Sequence, residues 1–455
     1  MTLPPTAAIV LAAGMGTRMK SARPKVMHAV GGRPLVNHVV ETLKAVNITK
    51  VVVVVGPGMD DVKAAVAPHT TVEQTERLGT GHAVLQAKAA LKHFEGDIII
   101  AYGDTPFVSA EAYMRLQTAR AEVNGPKIVV MGFLPENPTG YGRLLIGPKG
   151  LERIVEEKDA TPEEKRVRVC NSGIFAVEAA TLWAMLAKVD KNNAKGEYYL
   201  TDIVTHARAA DILCGVVHGE EDELLGINSR NDLASAEALF QNQMRRRALD
   251  GGATLLDPAT TYFSADTVIG QDVEIGPHVM FGPGVTVENN VTIKGYCHIE
   301  GAKIRSGAQV GPFTRLRPGA VIGVDAHIGN FVEVKNASIE KGAKVNHLTY
   351  IGDARVGAGA NVGAGVITAN YDGFNKSHTD IGAGAAIGSN SVLVAPVKIG
   401  DGAITGAGAV VRKDVPANAL VLNDSNQKVV EGFALKYRAQ KKAQKEKAQK
   451  EKAKK

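Results

Sequence analysis

Residues 267–304 read TVIGQDVEIGPHVMFGPGVTVENNVTIKGYCHIEGAKI, and a large apolar residue falls at every sixth position: Ile269, Ile275, Phe281, Val287, Ile293 and Ile299. After a slip of one residue the series continues at Ile304, Val310, Leu316, Ile322, Ile328 and Val334. Further slips give Ile339, Val345 and Ile351, then Val356 and Val362, and the step resumes at Ile381, Ile387, Leu393 and Ile399. A period of six fits neither the 3.6 residues of an α-helical turn nor a heptad, and it is the mark of a hexapeptide repeat. Each six-residue unit makes one short strand, and three make a triangular coil. The apolar side chains stack inward, and glycine and small residues take the corners. The spacing therefore predicts a parallel β-helix. It breaks at residues 369–380, ANYDGFNKSHTD. A polar insertion in a regular solenoid must loop outward; it is either a tolerated surface insertion or a loop whose Asn370, Tyr371 and Lys376 reach a ligand or a neighbouring subunit.

Upstream the grammar differs. Ala7–Leu11, Val51–Val55, Asp97–Ala101 and Lys127–Gly132 are short apolar runs rich in β-branched residues, separated by helix-like stretches such as Leu35–Ala45 and Ala83–Leu91. Continuous apolar strands alternating with helices predict a mostly parallel sheet covered on both faces, with ligands at the carboxyl ends of its strands. The expected organisation is an α/β domain over residues 1–230, a linker helix over 231–250, the β-helix over 251–436, and a Lys-rich tail over 437–455.

The bulk properties limit the functional classes. A length of 455 residues predicts two domains. The formal charge is +6, but from Tyr437 onward nine basic and two acidic residues give the tail +7, so the body carries −1. The basic balance is thus no argument for nucleic-acid binding by the body. The low-complexity tail reads as disordered or as a fraying helix, serving solubility, with weak attraction to anionic surfaces as the alternative. Cys170, Cys214 and Cys297 form no CxxC pair, which argues against a zinc site and for a reducing, cytoplasmic setting. No apolar run reaches membrane-spanning length, and the run Ala7–Ala13 reads as a buried strand rather than part of a signal peptide.

Two motifs carry the N-terminal chemistry. Leu11-Ala12-Ala13-Gly14-Met15-Gly16-Thr17-Arg18-Met19 follows the first strand, with Pro24-Lys25 soon after. A glycine-rich strand-to-helix turn presents backbone N–H groups to phosphate. The motif is neither GxGxxG nor a Walker loop. Its two cations, Arg18 and Lys25, suit an in-line phosphoryl displacement, where charge must be neutralised. Tyr102-Gly103-Asp104 ends another apolar strand, and a carboxylate there reads as a ligand for Mg²⁺, or else as a turn cap. In the C-terminal half, His347 lies outside the apolar register within VNHLTY, as do Arg317 and Lys335. A base for amine acylation beside two phosphate-gripping cations is one reading. A structural histidine is the other.

LAAGMGTRM with Pro24-Lys25, then Gln74 and Leu78-Gly79-Thr80-Gly81, then Tyr102-Gly103-Asp104, then Thr139-Gly140-Tyr141-Gly142-Arg143, resembles the sugar-1-phosphate nucleotidylyltransferases. With the long hexapeptide domain, nearly the whole chain apart from the tail resembles their two-activity acetyltransferase–uridylyltransferase family. The resemblance implies a Rossmann-like nucleotidyltransferase domain followed by a left-handed β-helix. It implies acetyl transfer from acetyl-CoA to glucosamine-1-phosphate, then uridylyl transfer from UTP with loss of pyrophosphate. Leu11, Ala12, Ala13, Gly14, Gln74, Gly79 and Thr80 would hold the uridine base. Tyr102, Gly103, Gly142, Glu156 and Asn171 would hold sugar and ribose. Asp104 and Asn228 would bind Mg²⁺, and Arg18 and Lys25 would steady the phosphates.

In the β-helix, the resemblance implies His347 as general base, with Arg317, Lys335, Tyr350, Asn361 and Lys376 around glucosamine-1-phosphate. Ala364, Asn370, Tyr371, Ser389 and Ala407 would line the acetyl-CoA site, with the Tyr371 N–H at the oxyanion. It also implies a homotrimer with sites between subunits. One position departs from the pattern: Asp424 stands where some members carry a coenzyme-contacting Arg, and Lys413 or Lys428 is the expected substitute. Two other readings remain: a single-activity nucleotidylyltransferase with a regulatory β-helix, and a non-catalytic scaffold, which would have lost Lys25, Asp104 or His347.

Overall fold

The computed structural model describes residues 3–423 and 430–452, and the chain divides into two compact units, Met1–Thr286 and Val287–Lys455. In the first unit a twisted sheet is built from β1 (Thr6–Leu11), β2 (Lys50–Val55), β3 (Thr70–Glu73), β4 (Asp97–Tyr102), β5 (Ile128–Phe133), β6 (Arg143–Gly147), β7 (Gly150–Val155), β8 (Cys170–Glu178) and β9 (Cys214–His218). Its order is β9-β5-β8-β4-β1-β2-β3, with β6 and β7 as a hairpin beside β8. The pairs β1–β2, β1–β4, β2–β3 and β5–β9 are parallel, and β8 runs antiparallel between β4 and β5. The β8 register shifts between Asn171, which pairs with Gly132, and Phe175, which pairs with Val130, so a bulge lies between them. Helices α1 (Leu35–Ala45), α2 (Thr80–Gln86), α3 (Ala110–Arg120), α4 (Ala179–Leu186) and α5 (Asp202–Ala209) accompany the sheet. Core residues lie on both faces: Val10, Val53 and Ile99 in one cluster, Ile9, Val54 and Ile100 in the other. Such two-sided burial explains why these strands are apolar without alternation.

The chain leaves β1 for β2 on one side and returns through β4 on the other. The carboxyl ends of β1 and β4 therefore form a switch point, where ligand clefts open in such sheets. The turn after β1 differs from expectation. It leads into 3₁₀ turns at Thr17–Met19 and Lys25–Met27, and the first α-helix starts only at Leu35. Gly16 and Lys20 in left-handed conformations and Pro24 break any helix there. Helix α2 also begins earlier than expected, at Thr80, and stops at Gln86. Ala87 and Lys88 donate instead to Val84 and Leu85, tightening the chain into turns. A 21-residue helix, α6 (Arg230–Asp250), starts at a Ser229–Asp232 capping box. Hexapeptide strands at Thr254–Leu255 and Glu274–Ile275, paired in parallel, complete this unit.

The second unit is a left-handed parallel β-helix of hexapeptide coils. Leu316 pairs with Val334, one coil or 18 residues on, and Ile328 pairs with Val345, 17 on, where the sequence slips. Across the insertion Val356 pairs with Ile381, 25 on, so seven residues are added to that coil. Thr368 takes the inward position before the insertion. It is fully buried, and its hydroxyl bonds to both the N–H and the carbonyl of Gly352. The strands used below are β10 (His327–Asn330), β11 (Glu333–Ile339), β12 (Lys344–His347), β13 (Tyr350–Val356) and β14 (Asn361–Val362). Several corners are left-handed without glycine. Tyr296, Phe313 and Phe331, at φ of 62°, 55° and 56°, stack at 4.9 and 5.2 Å, and the stacking offsets the backbone strain. A helix, α7 (Phe433–Lys452), exposed over residues 433–440, forms the tail.

Candidate functional sites

At the switch point a cleft of about 420 Å³ is lined by Leu11, Ala12, Ala13 and Gly14 from β1 and its turn, by Gln74, Gly79 and Thr80, and by Lys25, Tyr102, Asp104 and Asn228. A second cleft of about 630 Å³ shares Tyr102, Asp104 and Asn228 and adds Arg18, Gly140, Tyr141 and Ser172. The two therefore meet at Asp104 and Asn228. Gly103 is buried one residue before Asp104, its N–H donating to the Leu11 carbonyl at 3.0 Å. Gly79, at φ +112°, opens α2 where a Cβ would collide with the Tyr198 backbone, so no other residue fits that wall.

The shared wall is held together by one cation. The Lys25 ammonium donates to Asn228 Oδ1 at 2.9 Å and pairs with Asp104 Oδ2. Asn228 is fixed in turn, because its Nδ2 donates to the Gly226 carbonyl at 3.1 Å and its N–H to Asp232. Both oxygens face the same point, which the ammonium holds. Two converging oxygen donors fit a hard divalent cation that takes its remaining ligands from phosphates and water. Gly16, at φ +66°, lets Lys25 approach, since a Cβ there would come within 2.5 Å of the Lys25 Cβ.

Next to Ser172 and Tyr141 of the second cleft, Asn171 donates its N–H to the Gly142 carbonyl at 2.8 Å; Thr201 donates to Glu156 Oε1 at 3.3 Å. Burial pushes the Glu156 carboxyl up, against the opposing charge of Lys195. Burial, then the charges of Glu156 and Asp104, push the Tyr102 phenol up, so it acts as a neutral hydrogen-bonding group. Sequence reasoning passed over two residues here and gave no role to a third. Arg77 and Glu197 line the first cleft, but a lone charge in a loop gives no signal. Arg143 is 2% exposed, paired with Glu157 at 2.8 Å and donating to the Tyr141 carbonyl, so it braces the turn that carries Gly142 into β6.

On the β-helix, His347 is exposed at the end of β12, with its Nδ1 2.9 Å from Asn330 Oδ1 on the coil before. An amide oxygen can only accept, so Nδ1 carries a hydrogen, and in the neutral ring the lone pair is on Nε2. Asn330 was not singled out from sequence, where GNF looks like an ordinary corner. Successive coils stack along the same edge. Gly365 donates its N–H to the His347 carbonyl at 3.2 Å, Asn390 to Ala364 at 2.7 Å, and Gly408 to Ser389 at 2.7 Å. Ala364, Ser389 and Ala407 therefore stand in one column that continues from His347.

Arg317, Lys335 and Lys376 form a cation cluster. The Lys376 contact and charge, then the Arg317 charge, hold the Lys335 ammonium below the usual lysine range. Arg317 pairs with Glu333 at 2.7 Å, and Tyr350 lies beside Glu333 across β11 and β13. Burial pushes Asp353 up, but bonds from Asn336 and Asn370 and the charges of Lys376 and Lys335 outweigh it and leave its carboxyl low. Asn361 is on β14, in the sheet of His347, not in the sheet of Lys335 and Tyr350. The insertion folds on itself: Tyr371 pairs with Lys376, the Tyr371 hydroxyl donates to Gly373 at 2.6 Å, and Phe374 is 91% exposed. Lys413 is exposed in a groove with Arg412 and Asn423, whereas Asp424 and Lys428 lie outside the described residues.

Among the described residues no helix is long and apolar enough to cross a membrane, and the three cysteines are buried and free. Residues 8–168 match the MobA-like NTP transferase domain family, and residues 266–301 and 378–413 match the bacterial transferase hexapeptide repeat. The chain is 58% identical to the bifunctional protein GlmU of Paramagnetospirillum magneticum, covering 96% of this chain and 98% of that one. It is 58% identical to the bifunctional protein GlmU of Rhodospirillum rubrum, covering 95% and 97%. The protein of that name from Xanthobacter autotrophicus is 51% identical over 95% and 97%. With a nucleotidyltransferase domain, a hexapeptide transferase domain and this identity along nearly its whole length, the chain belongs to the family of bifunctional GlmU proteins.

Proposed function

We propose that the chain makes UDP-N-acetylglucosamine in two steps, in the cytoplasm, as a homotrimer joined through its β-helix. Residues 251–436 acetylate glucosamine-1-phosphate, residues 1–230 uridylylate the product, and residues 231–250 link them. The observation that carries this reading is the pairing of Lys25 with Asp104 and Asn228 in a cleft at a sheet switch point, together with a His347 bonded to Asn330 and a cluster of Arg317, Lys335 and Lys376 on the β-helix.

In the N-terminal cleft the base lies against Leu11–Gly14, Gln74, Gly79 and Thr80. Sugar and ribose meet Tyr102, Gly103, Gly142, Glu156 and Asn171. The sugar phosphate oxygen attacks the α-phosphorus of UTP, and pyrophosphate leaves in line. Asp104 and Asn228 would hold Mg²⁺, which when bound supplies charge neutralisation for the phosphates. Lys25 then gives up its carboxylate for phosphate oxygens, which Arg18 also grips. On the β-helix, His347 Nε2 takes the proton as the amine nitrogen bonds to the acetyl carbon, and the carbon–sulfur bond of acetyl-CoA breaks. The Nδ1–H···Asn330 bond stabilises the imidazolium that results. Arg317, Lys335 and Lys376 grip the sugar phosphate with Tyr350 and Asn361. Ala364, Asn370, Ser389 and Ala407 line the coenzyme, and the Tyr371 N–H faces the oxyanion.

Two assays on purified protein test this. Glucosamine-1-phosphate with acetyl-CoA should release free thiol. N-acetylglucosamine-1-phosphate with UTP and Mg²⁺ should release pyrophosphate. Pyrophosphate without thiol would reduce the β-helix to a structural part and favour a single activity.

A further inference from the structure

We propose that His82 sets the base selectivity of the nucleotide cleft by locking the amide of Gln74. It is a positioning residue, outside the cleft lining. The inference rests on the uridylyl reading above and deepens it.

Gln74 is 4% exposed and lines the cleft. Its Nε2 donates to the Gly79 carbonyl at 3.1 Å and to His82 Nδ1 at 3.2 Å. Both amide hydrogens are thereby committed, and the oxygen is what Gln74 has left to offer a ligand. The bond to Gly79 alone would leave the amide free to swing about one contact, and the second bond fixes its plane. Turning the amide over would set its oxygen against the Gly79 carbonyl and against the imidazole lone pair, acceptor facing acceptor twice. His82 is itself held. Its ring stacks on Tyr198 at 6.2 Å and 27°, and the Gln86 amide lies 3.1 Å from its Nε2. Nδ1 accepts from Gln74 in the tautomer that carries its hydrogen on Nε2, and that tautomer requires the Gln86 amide to face Nε2 with its oxygen.

A fixed acceptor discriminates between pyrimidines. Uracil presents an N3–H donor, and cytosine presents a bare N3 acceptor at the same place. A wrong pairing at one buried polar contact is worth roughly tenfold or more. A side chain on α2 that never touches the base thus decides which base is admitted.

The test compares kcat/KM for UTP and CTP in three proteins. His82→Phe keeps the ring and the Tyr198 stack but removes the acceptor. His82→Asn removes the ring but places an oxygen on Cγ where Nδ1 was. The Phe variant should lose about tenfold of the UTP-over-CTP preference, mainly through a higher KM for UTP, with kcat at saturation nearly kept. The Asn variant should recover most of the preference. Equal losses in both variants, or full preference in the Phe variant, would overturn the role of His82. A wild-type protein without preference for UTP would overturn the uridylyl reading, and this inference with it.

Discussion

The two candidate sites, each proposed to hold a sugar phosphate next to an activated donor, have opposite architecture. In the N-terminal cleft the polar groups are mostly sheltered and fixed to each other. Lys25 is tied to Asp104 and Asn228, Gln74 to Gly79 and His82, and Asn171 to Gly142. On the β-helix the groups stand outward: His347 is exposed, Lys335 and Lys376 repel each other, and the insertion ends in an exposed Phe374. A doubly covered sheet opens a crevice where its strand order reverses, so one chain encloses a ligand. A solenoid has its core inside and no crevice, so its side chains can only decorate faces and corners. Enclosure by a neighbouring subunit is what the proposed trimer would add there.

The largest effect that would sharpen this contrast is at Asn330. Asn330→Ala removes the partner that fixes the His347 tautomer, and acetyl transfer should fall by about 10- to 100-fold in kcat while uridylyl transfer is unchanged. An unchanged kcat would mean that the exposed histidine needs no orienting partner. A smaller effect concerns charge. Lys335 binds phosphate only when protonated, and Lys376 and Arg317 hold its ammonium below the usual lysine range. The KM for glucosamine-1-phosphate should therefore rise on the alkaline side as Lys335 loses its proton. Lys376→Met should move that limb to higher pH. A limb that stays put in the pH–KM profile would place the two lysines apart in solution. The smallest effect is structural: Phe313→Ala interrupts the Tyr296–Phe313–Phe331 stack and should cost about 1 kcal/mol in a denaturant melt, with little change at the N-terminal site.

What was legible in the sequence follows from how local each feature is. The hexapeptide step survives because each coil is built from consecutive residues, so both the slips at Ile304 and Ile339 and the insertion after Thr368 show directly in the spacing. The strands of the first unit are legible as apolar runs, but their order is not. β8 is buried on both faces like its parallel neighbours, and nothing in its composition tells that it runs antiparallel between β4 and β5. Asn330 and His82 act through partners 17 and 8 residues away, and each looks ordinary in its own segment. Arg143 was visible as part of TGYGR, but its burial against Glu157 was not. The start of α2 was misplaced because the apolar helical pattern is visible only from Ala83, although Gly79 is what lets the helix begin at Thr80.

The central claim is that two chemistries occupy separate machinery in one chain, and crossed substitutions test it most directly. Acetyl transfer and uridylyl transfer would each be measured in Asp104→Ala and His347→Ala proteins. The expected result is a loss on the order of 10²-fold or more of uridylyl transfer alone in the first, and of acetyl transfer alone in the second. Either substitution removing both activities in a folded protein, or neither removing its own, would contradict the account.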